Sequence, residues 1–215
     1  MDKNYGFDPI AKYYDRLAWL AFGKSLGKAQ VHFLNRVPPS SNVLVMGGGT
    51  GWWLKEFLME KPTCRICYVE QSAEMIRLAR NATNEDSRIF FLIGNEDSIT
   101  ETGEFDVVIT FCFLDIFSDN KLNRVVEKIV VSMKPGAQWL VTDFVDTSKW
   151  HSVALFMMYR FFKVTTSLLN HKLPDWEGVL VKNDLIEVEQ KLFFGNFIKS
   201  ALYKFANQHF ILDAR

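Results

Sequence analysis

The sequence has little of what marks several large classes of protein. It contains only three cysteines, Cys64, Cys67 and Cys112, and an odd number with two close together does not form a disulfide framework. Its 25 basic residues are balanced by 25 acidic ones, so no net positive field attracts nucleic acid from a distance. Repeats, low-complexity tracts and Gly/Ser linkers are missing as well. We therefore expect a globular protein of a reducing compartment, with no nucleic-acid partner.

Long hydrophobic runs are also missing. The first eight residues, MDKNYGFD, are polar and acidic, where a signal peptide would be basic and then apolar. The densest apolar run, 153–159, is stopped by Arg160 and is far shorter than the roughly 20 residues that cross a bilayer. These features predict a cytoplasmic location without a transmembrane segment.

The patterns that are present predict an α/β fold. At roughly 150 residues per domain, a chain of 215 residues favours one domain spanning 1–215. Short apolar runs alternate with longer helical patterns, which indicates βαβ units and a parallel sheet. The predicted strands are 42–46, 66–70, 89–93, 106–111 and 138–144; the predicted crossover helices are 52–60, 72–80 and 119–133, the last closed by Lys134-Pro135-Gly136.

The end of the chain has a different pattern. Segments 185–193 and 197–205 are rich in strand-forming residues, and Gly195-Asn196 between them is a two-residue hairpin signal. We therefore expect an antiparallel hairpin at the edge of the sheet, which brings the total to seven strands.

A glycine-rich turn follows the first predicted strand. Asn42–Met46 runs into Gly47-Gly48-Gly49-Thr50-Gly51, and a helical pattern opens at Trp52. Glycine permits positive φ and leaves the backbone bare, so a ligand can lie against it. About 20 residues further on, Glu70 ends the next strand, where a carboxylate can accept both hydroxyls of a ribose. The combination predicts a nucleotide-like ligand.

The spacing of the glycines separates two classes of cofactor. A dinucleotide turn, G-x-G-x-x-G/A, requires a small residue at position 52, which is Trp52. The pattern that fits is G-x-G-x-G, and it resembles motif I of the class I S-adenosylmethionine-dependent methyltransferases. Segments 70–75, 104–109 and 133–137 resemble later motifs of that family, in the family's order. The resemblance covers about 8–205 and is nearest to small-molecule methyltransferases of the ubiquinone/menaquinone-biosynthesis type.

The resemblance implies a Rossmann-like, mostly parallel sheet with helices on both faces, and it implies roles for particular residues. The glycines would pass beneath the amino-acid part of S-adenosylmethionine, and Glu70 would hold the ribose. The family's adenine-binding Asp is replaced here by Asn95, with Glu96 as the alternative after a shift of one residue. The implied cofactor contacts are Gly47, Gly48, Gly49, Gly51, Glu70, Gln71, Asn95, Glu96 and Phe111.

Two further segments resemble substrate-side elements of the family. Helices within 1–35 would form a lid in which Tyr13 or Tyr14 faces the sulfonium, because an aromatic face attracts a cation. A helical insertion over 146–182 would cover the substrate side. Its run 150–162 is apolar almost all round. Three interpretations stay open for this run: a buried helix or homodimer contact, a roof over an apolar substrate, or a peripheral membrane face.

The expected reaction is in-line transfer of a methyl group to a small apolar or aromatic acceptor, with S-adenosylhomocysteine released. Holding the two reactants in line supplies about 7 to 11 kcal/mol, so no catalytic dyad is required. His151, Asp115 and Tyr159 are candidate bases by location alone. Segment 142–144 lacks the Asp-Asn pair of metal-dependent relatives, which predicts a reaction without metal. The rival interpretations are a cofactor-binding protein without activity and an NAD(P)-dependent oxidoreductase.

Overall fold

The computed structural model describes residues 7–166 and 172–206, and a seven-stranded sheet is its central element. The order of the strands is β3-β2-β1-β4-β5-β7-β6. The strands are β1 (Asn42–Met46), β2 (Arg65–Glu70), β3 (Ile89–Ile93), β4 (Phe105–Phe111), β5 (Met133–Phe144), β6 (Leu185–Phe193) and β7 (Ile198–Phe205). The helices are α1 (Ala11–Phe22), α2 (Ser25–Val31), α3 (Leu54–Glu60), α4 (Ala73–Ala82), α5 (Asp119–Ser132), α6 (Lys149–Thr165) and α7 (Trp176–Lys182).

The first five strands run parallel, and β7 pairs with both β5 and β6 in the antiparallel direction. This confirms the predicted fold class. The chain moves outward from β1 to β3 and then returns to place β4 on the other side of β1. Strand order therefore reverses between β1 and β4, and in such sheets the crevice for a ligand opens outside the carboxyl ends of the strands at this point.

Both faces of the central strands are buried, which explains the nearly continuous apolar runs of β1 and β4. In β1, Val43 and Val45 point into a cluster with Phe57 of α3. Leu44 and Met46 point the other way, into a cluster that includes Val126 of α5. Alternate side chains of one short strand thus anchor helices on opposite faces, and this fixes the carboxyl end of β1 between them.

The starts of β5 and α3 differ from the sequence prediction. The Lys134-Pro135-Gly136 turn does not precede β5 but lies within it, because pairing with β4 begins at Phe105 and Met133 and then shifts to Val107 and Gln138. The extra residues form a bulge, which strands accommodate without ending. Helix α3 begins at Leu54 and not at Trp52. In contrast, the predicted cap of α4 is confirmed, since the Ser72 hydroxyl accepts the Met75 N–H at 3.1 Å.

The segment predicted as an insertion over 146–182 contains α6 and α7. Helix α6 is not buried all round: His151, Leu155 and Tyr159 face a cluster with Phe144 and Phe197, while its opposite face is exposed. Within 7–166 and 172–206, every helix is too short or too polar to cross a membrane.

Candidate active site

A cavity of about 880 Å³ lies at the carboxyl ends of β1, β2 and β4, beneath α1 and α2. Its size is in the range typical of small-molecule sites. Of the residues predicted to contact a cofactor, those that line it are Tyr14, Gly47, Gly48, Gly49, Glu70, Gln71, Asn95, Glu96 and Phe111. The strand-order reversal and the glycine turn therefore meet at one site.

The glycine turn is shaped by aromatic side chains that pack against it. A Cβ on Gly47 would collide with the Phe113 ring, and a Cβ on Gly48 would collide with the Tyr68 ring. The Tyr68 hydroxyl also donates a hydrogen bond to the Gly49 carbonyl at 3.0 Å. Gly49, at φ +65°, differs from Gly47, Gly48 and Gly51 because nothing lies within 4 Å of the place a Cβ would occupy. The turn thus rests on a packed aromatic floor with open space above Gly49.

Gly51 has a different role from the one the resemblance implies. It is not among the residues that line the cavity, and a Cβ there would press on Leu54 and Ala79. Its bare backbone lets α3 and α4 approach the turn closely. Gly51 therefore supports the turn by packing.

Glu70 is tied to the glycine turn by its carboxylate. One oxygen accepts the Gly49 N–H at 3.0 Å, and the other accepts the Ser72 N–H at 2.8 Å. The side chain is 8% exposed, and this burial raises the pKa of Glu70, while the backbone hydrogen bonds act in the opposite direction. Each carboxylate oxygen has a second lone pair. Glu70 can therefore accept two hydroxyl groups from a ligand while it keeps its backbone contacts.

At the end of β3, the two candidates for adenine contact have different partners. The Asn95 side-chain oxygen accepts the Asp97 N–H at 3.0 Å and so begins the short turn Glu96–Ser98. Glu96 is 8% exposed and lies 3.5 Å from the Lys121 ammonium. Both residues line the cavity. The Asn95 amide nitrogen is left to donate to a ligand, whereas Glu96 is held by a cation.

The N-terminal segment closes over the turn through two carboxylates. The Thr50 hydroxyl donates to both oxygens of Asp15, at 2.9 and 3.0 Å. Asp8 accepts hydrogen bonds from the Ser72 hydroxyl and from the Glu74 N–H. These contacts hold α1 above the loops that follow β1 and β2. The predicted lid therefore has defined polar attachments to the loops after β1 and β2, at the Gly49 and Glu70 end of the cavity.

The two lid tyrosines are separated by the helical period. Tyr14 lines the cavity, and its ring meets Phe7 edge-on at 5.8 Å. Tyr13 is 59% exposed and is not part of the lining, so the structure does not support a cofactor contact for it. Adjacent residues of a helix point about 100° apart, and only one of them can face inward.

The loop after β4 is fixed by a buried carboxylate, Asp143. Its oxygens accept the N–H groups of Phe113 at 3.2 Å, Leu114 at 2.9 Å and Phe144 at 2.8 Å. Asp115 forms a carboxyl pair with Asp143, and burial together with the Asp143 charge raises the pKa of Asp115 well above its usual value. Asp143 thus places Phe113 beneath Gly47 and leaves Cys112, with φ +50°, in the cavity wall.

None of the three candidate bases lines the cavity among the described residues. The His151 ring is 1% exposed and bridges α6 to the hairpin, with Nδ1 3.1 Å from the Thr147 nitrogen and Nε2 3.1 Å from the Gly195 carbonyl oxygen. The Tyr159 hydroxyl donates to the Asp115 carbonyl at 3.3 Å, and Asp115 itself is 3% exposed. All three are placed to support the fold around the site.

The half of the cavity beyond the turn is mainly aromatic. Its walls include Trp19, Trp52, Trp53 and Phe111, and the charged residues Lys24, Lys28 and Glu56 also belong to the cavity lining. The side-chain oxygen of Gln30 accepts the Trp52 indole N–H at 3.1 Å, which draws that indole toward α2.

The polar lining residues that sequence reasoning did not assign include Asp15, Gln30 and Thr50. Thr50 lies inside the glycine motif and Asp15 follows Tyr14, so both are next to predicted site residues. Nothing in the sequence indicates that these two residues contact each other. Gln30 carried no signal. Within 7–166 and 172–206, no group of three or more His, Cys, Asp or Glu is arranged to hold a metal ion; the reaction without metal stays a prediction.

Residues 43–136 match a family model described as a methyltransferase domain. The chain is also 26% identical, over 140 residues, to a malonyl-[acyl-carrier protein] O-methyltransferase from Priestia megaterium. The alignment covers 64% of this chain and 49% of the relative, so the chain matches about half the length of that curated protein.

Solved structures share the fold at lower identity. A methyltransferase from Haloferax volcanii, solved with the Trm112 methyltransferase activator, has a TM-score of 0.64 and 18% identity, with 86% of this chain and 95% of that one covered. The 1,6-didemethyltoxoflavin-N1-methyltransferase of Burkholderia thailandensis, solved with its substrate and S-adenosylhomocysteine, has a TM-score of 0.67 and 14% identity. That match covers 92% of this chain and 85% of the other.

Proposed function

We propose that the chain, which matches a methyltransferase domain model over 43–136 and shares its fold with solved methyltransferases, transfers a methyl group from S-adenosylmethionine to a small apolar or aromatic acceptor. The observation that carries the proposal is the shape of the cavity. It runs without a break from the Gly49 and Glu70 end to the aromatic walls around Trp19 and Trp53. A protein that only bound the cofactor would not need the second half.

The groups at the Gly49 and Glu70 end of the cavity, which we call the cofactor half, match the groups of S-adenosylmethionine. The Glu70 carboxylate would accept the ribose hydroxyls, and the open space above Gly49 would take the amino-acid part. The Asn95 amide would donate to the adenine ring. Tyr14 would offer an aromatic face near the sulfonium. The cofactor supplies an activated methyl group, so the protein has only to bind, orient and exclude water.

The acceptor half orients its guest mainly by shape. Indole and phenyl walls favour a flat or apolar molecule. The lining also contains the uncharged polar residues Gln30 and Cys112 and the charged residues Lys24, Lys28 and Glu56. Positioning donor and acceptor in line accounts for about 7 to 11 kcal/mol of a barrier. With His151, Asp115 and Tyr159 outside the lining, we infer that positioning dominates the rate enhancement and that a buried side-chain base is not required.

Calorimetric titration with S-adenosylhomocysteine and, separately, with NADH tests the cofactor assignment. We expect binding of S-adenosylhomocysteine alone. Binding of NADH alone would reverse the assignment. Incubation with S-adenosylmethionine carrying a labelled methyl group and a panel of aromatic hydroxy and amino compounds tests the reaction, and we expect label in at least one of them. Cofactor binding with no transfer to any member would favour a binding protein.

A further inference from the structure

We propose that the exposed face of α6, together with that of α1, docks on an anionic lipid bilayer and holds the mouth of the cavity against the membrane. The α6 face consists of Lys149, Val153, Phe156, Met157, Arg160, Lys163 and Val164. Its apolar members are unusually open to solvent: Val153 is 60% exposed, Phe156 66%, Met157 65% and Val164 82%. A helix on a protein surface normally turns polar residues outward, and contiguous exposed apolar residues mark a site of interaction.

The charges on this face are of one sign. Helix α6 contains Lys149, Arg160 and Lys163 and no acidic residue. Across 7–166 and 172–206, none of these three cations forms an ion pair with a carboxylate. The chain as a whole has no net charge, so the cations are a local feature. Apolar side chains interleaved with Lys and Arg are typical of helices that lie in a membrane interface and are attracted to anionic lipids.

Helix α1 extends the same type of surface. Tyr13 is 59% exposed, Trp19 62% and Leu20 77%, and the cations Lys12 and Arg16 stand on the same side of the helix. A tryptophan and a tyrosine at such a face suit the boundary between lipid and water, since their rings are apolar with a polar edge.

Aromatic contacts join the two helices and bring them to the cavity mouth. Phe22 of α1 meets Phe194 of the hairpin turn at 5.5 Å, and Phe194 meets Trp150 of α6 at 6.1 Å. On the other side, Phe7 meets Phe162 of α6 at 5.7 Å. Phe7 and Trp19 also line the cavity. The docking surface therefore borders the opening through which an acceptor enters.

A bilayer fits this surface better than a second copy of the chain. In a symmetric dimer the same face would meet itself, and the three α6 cations of each copy would be brought near those of the other with no acid on α6 to offset them. An anionic bilayer satisfies both features at once, because it accepts the apolar side chains and attracts the cations. Docking does not depend on the proposed function, whereas delivery of an apolar acceptor from the membrane does.

Co-sedimentation with lipid vesicles tests the docking. We expect the protein to bind vesicles of mixed phosphatidylcholine and phosphatidylglycerol, to bind phosphatidylcholine vesicles weakly, and to be released by high salt. The K149Q/R160Q/K163Q variant should partition about 100-fold more weakly, because each cation near an anionic surface contributes about five-fold. The F156S/V164S variant should lose most of its binding. An M59S/V181S variant is the matched control, since Met59 and Val181 are 69% and 60% exposed but lie outside the face.

Three results would overturn the docking surface: no binding to anionic vesicles, equal binding by the charge variant and the native chain, or a dimer in light scattering that F156S/V164S dissociates while vesicles leave the native chain unbound. Titration of the same proteins with S-adenosylhomocysteine separates this proposal from the previous one. Cofactor binding without vesicle binding removes only the docking, and vesicle binding without cofactor binding removes only the proposed function.

Discussion

Gly49 donates its backbone N–H to the Glu70 carboxylate at 3.0 Å, so the glycine turn after β1 and the acid at the end of β2 form one unit. The Ser72 N–H holds the second oxygen of the same carboxylate. The carboxylate that we assign to the ribose is thereby fixed in position before any ligand arrives, and the cost of ordering it has already been met in folding.

Replacing Glu70 with Gln should weaken binding of S-adenosylhomocysteine by at least ten-fold. The amide has lost a charge, and hydrogen bonds to charged groups contribute about 1.5 to 3 kcal/mol each. Its nitrogen would also face a backbone N–H. Isothermal titration measures the affinity, and circular dichroism checks that the fold is kept. Glu74→Gln is the matched control, because Glu74 pairs with Arg77 on α4. Unchanged affinity in Glu70→Gln would count against the ribose assignment.

The Gly49→Val variant should lose cofactor binding and keep the fold. At φ +65° a β-branched residue is strained by about 1 to 3 kcal/mol, yet no protein atom lies within 4 Å of the new Cβ. The added methyl groups would occupy the space we assign to the ligand. A Gly103→Val variant, at φ +62° and equally open, is the control for strain alone. If both variants bind S-adenosylhomocysteine equally, the ligand does not approach Gly49.

The lid attachment predicts a third effect. Thr50→Val removes the hydroxyl that donates to Asp15 while it keeps the size of the side chain. We expect α1 to detach more often, which should raise the dissociation rate of S-adenosylhomocysteine several-fold and increase protease cleavage within α1. Stopped-flow displacement and limited proteolysis measure these two quantities. Thr50→Ser, which keeps the hydroxyl, should restore both toward the native values.

The sequence alone predicted the elements whose signals are local. The glycine turn follows β1 and Glu70 ends β2, and both strands are nearly continuous apolar runs. The hairpin begins and ends within one residue of its predicted positions. Contacts between distant segments were not predictable in this way. Nothing in the residues around Thr50 or Asp143 shows that the first would meet Asp15 and the second would hold the loop at Phe113.

His151 shows why location was not enough. A histidine just after β5 was expected near the substrate, but the direction of its side chain depends on which face of α6 packs inward. That face is set by Leu155 and Tyr159, which lie one and two turns along the helix and are buried against Phe144 and Phe197. The choice between Tyr13 and Tyr14 was open for the same reason, since the inward face of α1 is defined by packing that lies outside its own sequence.

His151→Phe should therefore lower stability and leave cofactor affinity unchanged. In this variant the Thr147 N–H and the Gly195 carbonyl lose their partners. In the native chain each of them lies 3.1 Å from a nitrogen of the His151 ring. A buried polar group without a partner costs about 1 to 3 kcal/mol, so the free energy of unfolding should fall by about 2 to 4 kcal/mol. Urea denaturation gives this quantity. If the affinity for S-adenosylhomocysteine fell together with the stability, the His151 ring would instead lie at the binding site.

The carboxyl pair of Asp115 and Asp143 predicts how stability depends on pH. Burial and the neighbouring charge raise the pKa of Asp115 well above its usual value of 3.8, so the folded protein keeps a proton that the unfolded chain releases. Wherever the folded state binds more protons, stability falls as pH rises, by up to about 1.4 kcal/mol per pH unit for one group. The contribution is complete below about pH 4 and is lost as pH rises through the folded pKa.

Asp115→Asn should remove the part of this dependence that belongs to Asp115, because its amide can donate to Asp143 without a titrating proton; a smaller part remains, since burial also raises the pKa of Asp143, to about 6. Thermal unfolding between pH 4 and 8 should show the variant close to the native chain at the acidic end and increasingly more stable than it toward neutral pH. The exposed Asp184→Asn variant is the control and should track the native chain throughout. Parallel curves for Asp115→Asn and the native protein would mean that Asp115 is ionised in the folded state, and that the loop at Phe113 is held by two charges rather than by a shared proton.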